Sequence, residues 1–144
     1  MTITHAMWIH GHSVHKEYPV GALERKGFSV KYIASKGKSN WLHFAIPTPV
    51  IVDDSRLQAM SVLVRFRTDA HAAIESIHVY DGEHNLVKAD ALHINAPNWH
   101  VERIQLPEYP LVHWGIGISV LVSFENDASW VEFSAAGCDL SVHK

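Results

Sequence analysis

The sequence has a single cysteine, Cys138, so no disulfide can form within the chain and a small cross-linked secreted scaffold is excluded. Positive charge is scarce as well: 12 Lys and Arg stand against 15 Asp and Glu, for a formal net charge of -3. Nucleic-acid binders draw much of their affinity from neutralised phosphates. The densest basic stretch here holds only Lys31, Lys36 and Lys38 and reads as a solvated turn, so no nucleic acid is expected as a partner. Long apolar runs are missing too. The longest uncharged stretch, Tyr109 to Phe124, is broken by Pro110, Gly115 and Gly117 and is shorter than a membrane span, so no membrane is expected either. Residues 1–15 carry neither Lys nor Arg. The charged start of a secretory signal is therefore missing, and the expected compartment is the cytoplasm. Nucleophile and phosphate signatures are lacking: there is no Gly-x-Ser-x-Gly, and Gly115-x-Gly117 has no third glycine and sits inside a strand pattern.

What is present is a period of two. Val62, Val64 and Phe66 alternate with Ser61, Leu63, Arg65 and Arg67, and Ile116, Ile118, Val120, Val122 and Phe124 line one face of a second long segment. Successive side chains on a strand point to opposite faces, so both segments read as half-buried strands. Gly115, Gly117, Ser119 and Ser123 fall on the other face of the second one, where small residues let another layer or a ligand come close. Ile74 to Tyr80 reads as a strand, Asp81-Gly82 as the start of a turn, and Leu86 to Ala91 as the return. Ala6 to His12, Phe28 to Ala34, Asn40 to Ile46, Val101 to Leu106, Trp130 to Ala135 and Asp139 to Val142 complete a set of about nine strands. The 144 residues suit one domain, 1–144. The expected fold is all-β: a single-domain, two-sheet antiparallel β-sandwich, jelly-roll-like. Two places carry helical signals instead, the Ser55-Arg56-Leu57-Gln58 capping-box pattern and the alanine-rich Asp69 to Ser76.

Histidine is the anomaly, with 12 residues, as many as Lys and Arg together. His titrates nearest neutrality and is a common metal ligand. On a strand, His10 and His12 would share a face and could hold one metal ion between them, with Glu17 close behind. The segment superficially resembles the first motif of the cupins, but it lacks that motif's glycines and stands at the start of the chain. His43, His78 and His113 alternate with apolar neighbours, so His43 and His78 point away from the apolar set. A meeting of His10, His43 and His78 would make a metal or acid–base site. Five tryptophans, Trp8, Trp41, Trp99, Trp114 and Trp130, offer apolar faces that stack on sugar rings and other planar ligands, and at least two of them are expected in the core. Asp53-Asp54 reads as a solvated turn rather than a calcium site, and Cys138 as packing.

Trp8-Ile9-His10-Gly11-His12-Ser13-Val14, Ser39-Asn40-Trp41-Leu42-His43-Phe44-Ala45-Ile46-Pro47-Thr48-Pro49-Val50, Trp114-Gly115-Ile116-Gly117-Ile118-Ser119 and His78-Val79-Tyr80-Asp81-Gly82 resemble segments of a group of small bacterial proteins of unknown function. The resemblance implies a stand-alone β-sandwich and no particular activity. It places the candidate residues within the shared segments, with His12 the less typical of the two metal candidates.

The function expected first is a non-catalytic domain that binds a small polar or sugar-like ligand, or a partner, on a face carrying His10, His43, His78, Trp8, Trp41, Trp114 and Tyr80. A small histidine-dependent enzyme, with or without a divalent metal at His10 and His12, is the alternative; the metal is not favoured, and the cofactor stays unknown. A structural subunit of a homo-oligomer is the third reading, because open sheet edges invite pairing.

Overall fold

Ile116, Ile118, Val120, Val122 and Phe124 are buried, and the residues between them are partly exposed, as their alternation demands. The same logic runs through the computed structural model, which describes residues 2–142. Twelve strands appear among them: β1 His5–His10, β2 His15–Lys16, β3 Ala22–Arg25, β4 Val30–Ala34, β5 Ser39–Ile46, β6 Ile51–Val52, β7 Ser55–Thr68, β8 Ala72–Asp81, β9 His84–Ala89, β10 His100–Gln105, β11 Ile116–Phe124 and β12 Ser129–Val142, with one 3-10 turn at Gly11–Ser13. One sheet runs β10-β7-β12-β4-β3, with β1 beside β12 and β6 beside β7; the other runs β2-β5-β11-β8-β9. All pairings are antiparallel. The chain is thus a two-sheet β-sandwich.

The core lies between the sheets. Leu42, Phe44, Ile77, Val79, Ile118 and Val120 come from one sheet, and Val62, Val64, Phe66, Tyr32, Phe133 and Leu140 from the other. Phe44 and Phe133 meet edge to face across the gap, with centroids 5.4 Å apart. Each such side chain contributes roughly 1.5–3 kcal/mol by leaving water. Tyr32 is the one polar-tipped ring fully inside, and its hydroxyl donates to the Val20 carbonyl oxygen and accepts from Asn40 Nδ2, as a buried phenol requires.

Several expectations are corrected. Both helical signals become strand. Ser55–Gln58 opens β7, where Leu57 and Gln58 pair with Val142 and Ser141 of β12. Ala72 and Ala73 pair with Phe124 and Ser123 of β11. Capping-box and alanine preferences are worth a fraction of a strand ladder in a packed sheet. Trp130 to Ala135 and Asp139 to Val142 form one strand, bent at two register shifts. Asp53 and Asp54 have φ of 49° and 62° and are exposed. They form a solvated two-residue turn between β6 and β7, as expected; both central residues of such a turn take positive φ. None of the five tryptophans is buried. Their positions fall on the outward phase of strands or on loops, and the interior is filled by aliphatic residues, Phe and Tyr32.

Candidate functional site

The outward face of the five-stranded sheet carries the site, and strand register explains how. β11 lies at its centre, between β5 and β8. Trp41 and Ser76 flank Leu121, His43 and His78 flank Ser119, and Ala45 and Tyr80 flank Gly117. Lys88 of β9 pairs with His78. Large side chains on the outer strands and small ones on the central strand make an open trough of about 390 Å³, lined by Glu17, Trp41, His43, His78, Tyr80, Lys88 and Ser119. A Cβ placed on Gly117 would meet nothing within 4 Å, so the floor there is open space.

The polar groups of the trough are held by one another. Glu17 follows β2, and its N–H donates to the Trp41 carbonyl oxygen at 2.9 Å, which fixes it beside β5. His43 joins Glu17 Oε1 through Nε2 at 2.8 Å and Ser119 Oγ through Nδ1 at 2.9 Å. A carboxylate only accepts, so Nε2 carries the proton. Nδ1 of the neutral ring is then an acceptor, and the Ser119 hydroxyl donates to it. His78 repeats the arrangement on the other side, with Nε2 donating to Asp90 Oδ1 at 2.7 Å, so that Nδ1 is the acceptor whenever the ring is neutral. Hydrogen bonds from His78 and Ser76 hold the Asp90 carboxyl below its ordinary value. The Trp41 and His78 rings lean toward each other across β11, with centroids 4.8 Å apart.

Glu17, His43 and Ser119 have the connectivity of a nucleophile relay. Acyl transfer also needs donors aimed at a developing oxyanion. β11 is paired on both sides, so its backbone N–H groups around Ser119 are committed to the ladders. What the trough offers instead is aromatic surface, hydrogen-bond acceptors in Ser119 Oγ and His78 Nδ1, and one cationic donor in Lys88.

The candidate residues separate in space. His43, His78, Trp41 and Tyr80 line the trough. His10 and Trp8 stand on β1 in the other sheet, so His10, His43 and His78 do not meet. Trp8 lies over Gly137 of β12, where an added Cβ would stand 2.5 Å from the indole Cδ2. His10 and His12 do not share a strand face, because β1 ends at His10 and His12 falls in the 3-10 turn. The His10 and His12 rings are close, with centroids 4.2 Å apart. However, His10 Nδ1 accepts from the His12 N–H, and His12 Nε2 faces the Lys26 and Ser29 carbonyl oxygens. A ring nitrogen facing two carbonyls is a donor and cannot ligate an ion, and no group of three or more candidate metal ligands occurs among the described residues. Trp114 lies on the loop before β11 and is 72% exposed. Lys88 and Ser119 of the trough, and Asp90 behind His78, are residues that the sequence did not single out as binding groups. The alternation of the β8–β9 hairpin puts Lys88 on the face of His78 and was the available signal.

The sequence model of a family of unknown function, DUF6623, matches residues 2–137. No curated protein matches the chain in sequence. Among solved structures, a low-affinity xylan-binding module, CBM86, from the gut symbiont Roseburia intestinalis is similar at a TM-score of 0.58 and 15% identity, with 94% of this chain and 96% of that one covered. A family 29 carbohydrate-binding module complexed with cellohexaose is similar at 0.54 and 6% identity, covering 94% and 92%. A CBM61 module in complex with β-1,4-galactotriose is similar at 0.51 and 15% identity, covering 95% and 88%. At these identities the likeness is one of fold.

Proposed function

The chain belongs to the DUF6623 family, and we propose that it is a non-catalytic carbohydrate-binding domain whose ligand lies in the trough of the five-stranded sheet. The observation that carries this reading is the chemistry of the lining. Trp41 and Tyr80 supply apolar ring faces, and Ser119 Oγ and His78 Nδ1 are turned into acceptors by the carboxylates behind them. A sugar matches both properties: its C–H face stacks on an aromatic ring, and its hydroxyls donate to acceptors. The open, shallow shape suits a ligand that lies along the sheet. The sandwich-fold neighbours described as binding xylan, galactotriose and cellohexaose support the reading, as does the lack of an oxyanion site beside Ser119.

The test is calorimetric titration of the protein with xylo-, cello- and β-1,4-galacto-oligosaccharides, followed in parallel by tryptophan fluorescence. Saturable binding that is lost in Trp41→Ala is expected. A protein that stays silent to all three series at millimolar concentration does not have this function.

A further inference from the structure

Trp114 is the most exposed of the large hydrophobic side chains, yet its backbone N–H and those of both its neighbours are held by one carboxylate. Asp81 is 3% exposed. It takes the N–H groups of His113, Trp114 and Gly115 on its carboxylate at 2.9, 2.8 and 3.0 Å. The Gly82 N–H donates to the Gly115 carbonyl oxygen at 3.0 Å. A Cβ on Gly82 would lie 3.0 Å from Trp114 Cβ and 3.1 Å from its Cδ1, so the tryptophan rests on the one residue type that leaves it room. A buried carboxylate is costly unless fully hydrogen-bonded. Here its three bonds all go to the segment that holds an indole out into water.

The position of Gly82 gives that arrangement its meaning. Gly82 is two residues beyond Tyr80, which forms one end of the trough, and Trp41 forms the other. We propose that Trp114 is a further stacking platform of the same site, so that the ligand is a chain of sugars running along β11 rather than a single ring. The inference rests on the carbohydrate reading above. From Leu121, opposite Trp41, to Gly115, bonded to Gly82, the backbone advances about 20 Å at the strand rise. A pyranose with its bridging oxygen advances a chain by about 5 Å, a few single bonds of ~1.5 Å laid along the axis. The row from Trp41 to Trp114 therefore fits about four rings, with the acceptors of Ser119 and His78 beneath the middle of the chain.

The test is calorimetry on the whole chain with each oligosaccharide series from two to six rings, for the unmodified protein, Trp114→Ala and Trp41→Ala. Trp114 is on the surface, so its replacement leaves the core untouched. In the unmodified protein, affinity rises with length and levels off near four rings. Trp114→Ala keeps the disaccharide affinity and loses about tenfold on the hexasaccharide, the worth of one good stacking contact. Trp41→Ala weakens every length. Affinity that does not rise beyond two rings, or a Trp114→Ala protein that binds the hexasaccharide as tightly as the unmodified one, overturns the inference while leaving the trough reading in place. Silence to all lengths overturns both. If Trp114→Ala leaves hexasaccharide affinity unchanged but turns a dimer into a monomer in sedimentation, the indole meets a second copy and the proposal fails.

Discussion

The indole of Trp41 lies 4.8 Å from the imidazole of His78, centroid to centroid and inclined at 48°, although β11 runs between the strands that carry them. Neither ring is in the core; the imidazole is tied to Asp90, and the Trp41 backbone carbonyl accepts from the Glu17 N–H, while the indole itself rests on the imidazole. Removing the imidazole therefore frees the indole without opening a core cavity. His78→Ala is expected to weaken sugar binding by about tenfold, through a lost acceptor and a loosened stacking ring, and to change the melting temperature by only a few degrees. A thermal melt paired with calorimetry separates the two. A large fall in stability with binding intact would show that the pair is structural.

Gly117 offers the cleanest separation of binding from folding. Its φ is not in the left-handed region, and a Cβ there would meet nothing within 4 Å. Glycine weakens a strand interior by roughly 0.5–1 kcal/mol, so Gly117→Val should hold or raise stability. The same methyl groups would stand on the trough floor between Ala45 and Tyr80 and lift a ligand off it. The expected result is a protein that melts no lower and binds oligosaccharide at least tenfold more weakly. Unimpaired binding would move the ligand off this face.

How much of this was legible follows from what a strand encodes. The phase of His43 and His78 against Leu42, Phe44, Ile77 and Val79 is local, and it alone puts both imidazoles on an outward face. That they share one trough is not local. It depends on β11 lying between β5 and β8, a pairing of residues far apart in sequence, and the equally distant pairing of β1 with β12 puts His10 and Trp8 in the other sheet. The small residues Gly117 and Ser119 do fall on the trough floor, where the space above Gly117 is open. The Ser55–Gln58 signal misled because a capping box reports only four residues, whereas β7 is held along its length by β12. The tryptophans misled because size suggested the core, while their phase already placed Trp41 outward.

Cys138 is fully buried, and burial first, then the neighbouring Asp139 charge, pushes its thiol up to about 12. Thiolate is the reactive form, so the native protein should resist iodoacetamide at pH 8, and the unfolded chain in denaturant should react stoichiometrically. Mass spectrometry after timed quenching reads both. Native labelling as fast as that of a free thiol would contradict the packing of β12.

Glu132 is a buried carboxylate through which the acid stability of the fold can be tested. Its carboxylate is buried in β12, accepts from Ser29 Oγ and meets Arg67 Nε at 2.6 Å. Burial pushes its pKa up, but the Ser29 and Arg67 hydrogen bonds and the Arg67 and Lys31 charges outweigh it, and the group sits below its ordinary value. A carboxyl whose folded value is depressed binds its proton more readily in the unfolded chain. Its contribution is therefore complete above the unfolded value of about 4.3 and is lost as pH falls through the lower folded value. Glu132→Gln keeps the shape and removes the charge that Arg67 needs, so it should cost about 2–3 kcal/mol at pH 7. Its melting temperature should also fall less steeply than that of the unmodified protein once the pH drops below about 4. Thermal melts by circular dichroism from pH 7 to pH 2 give both quantities, and parallel acid slopes for the two proteins would mean that Glu132 is not the group that titrates.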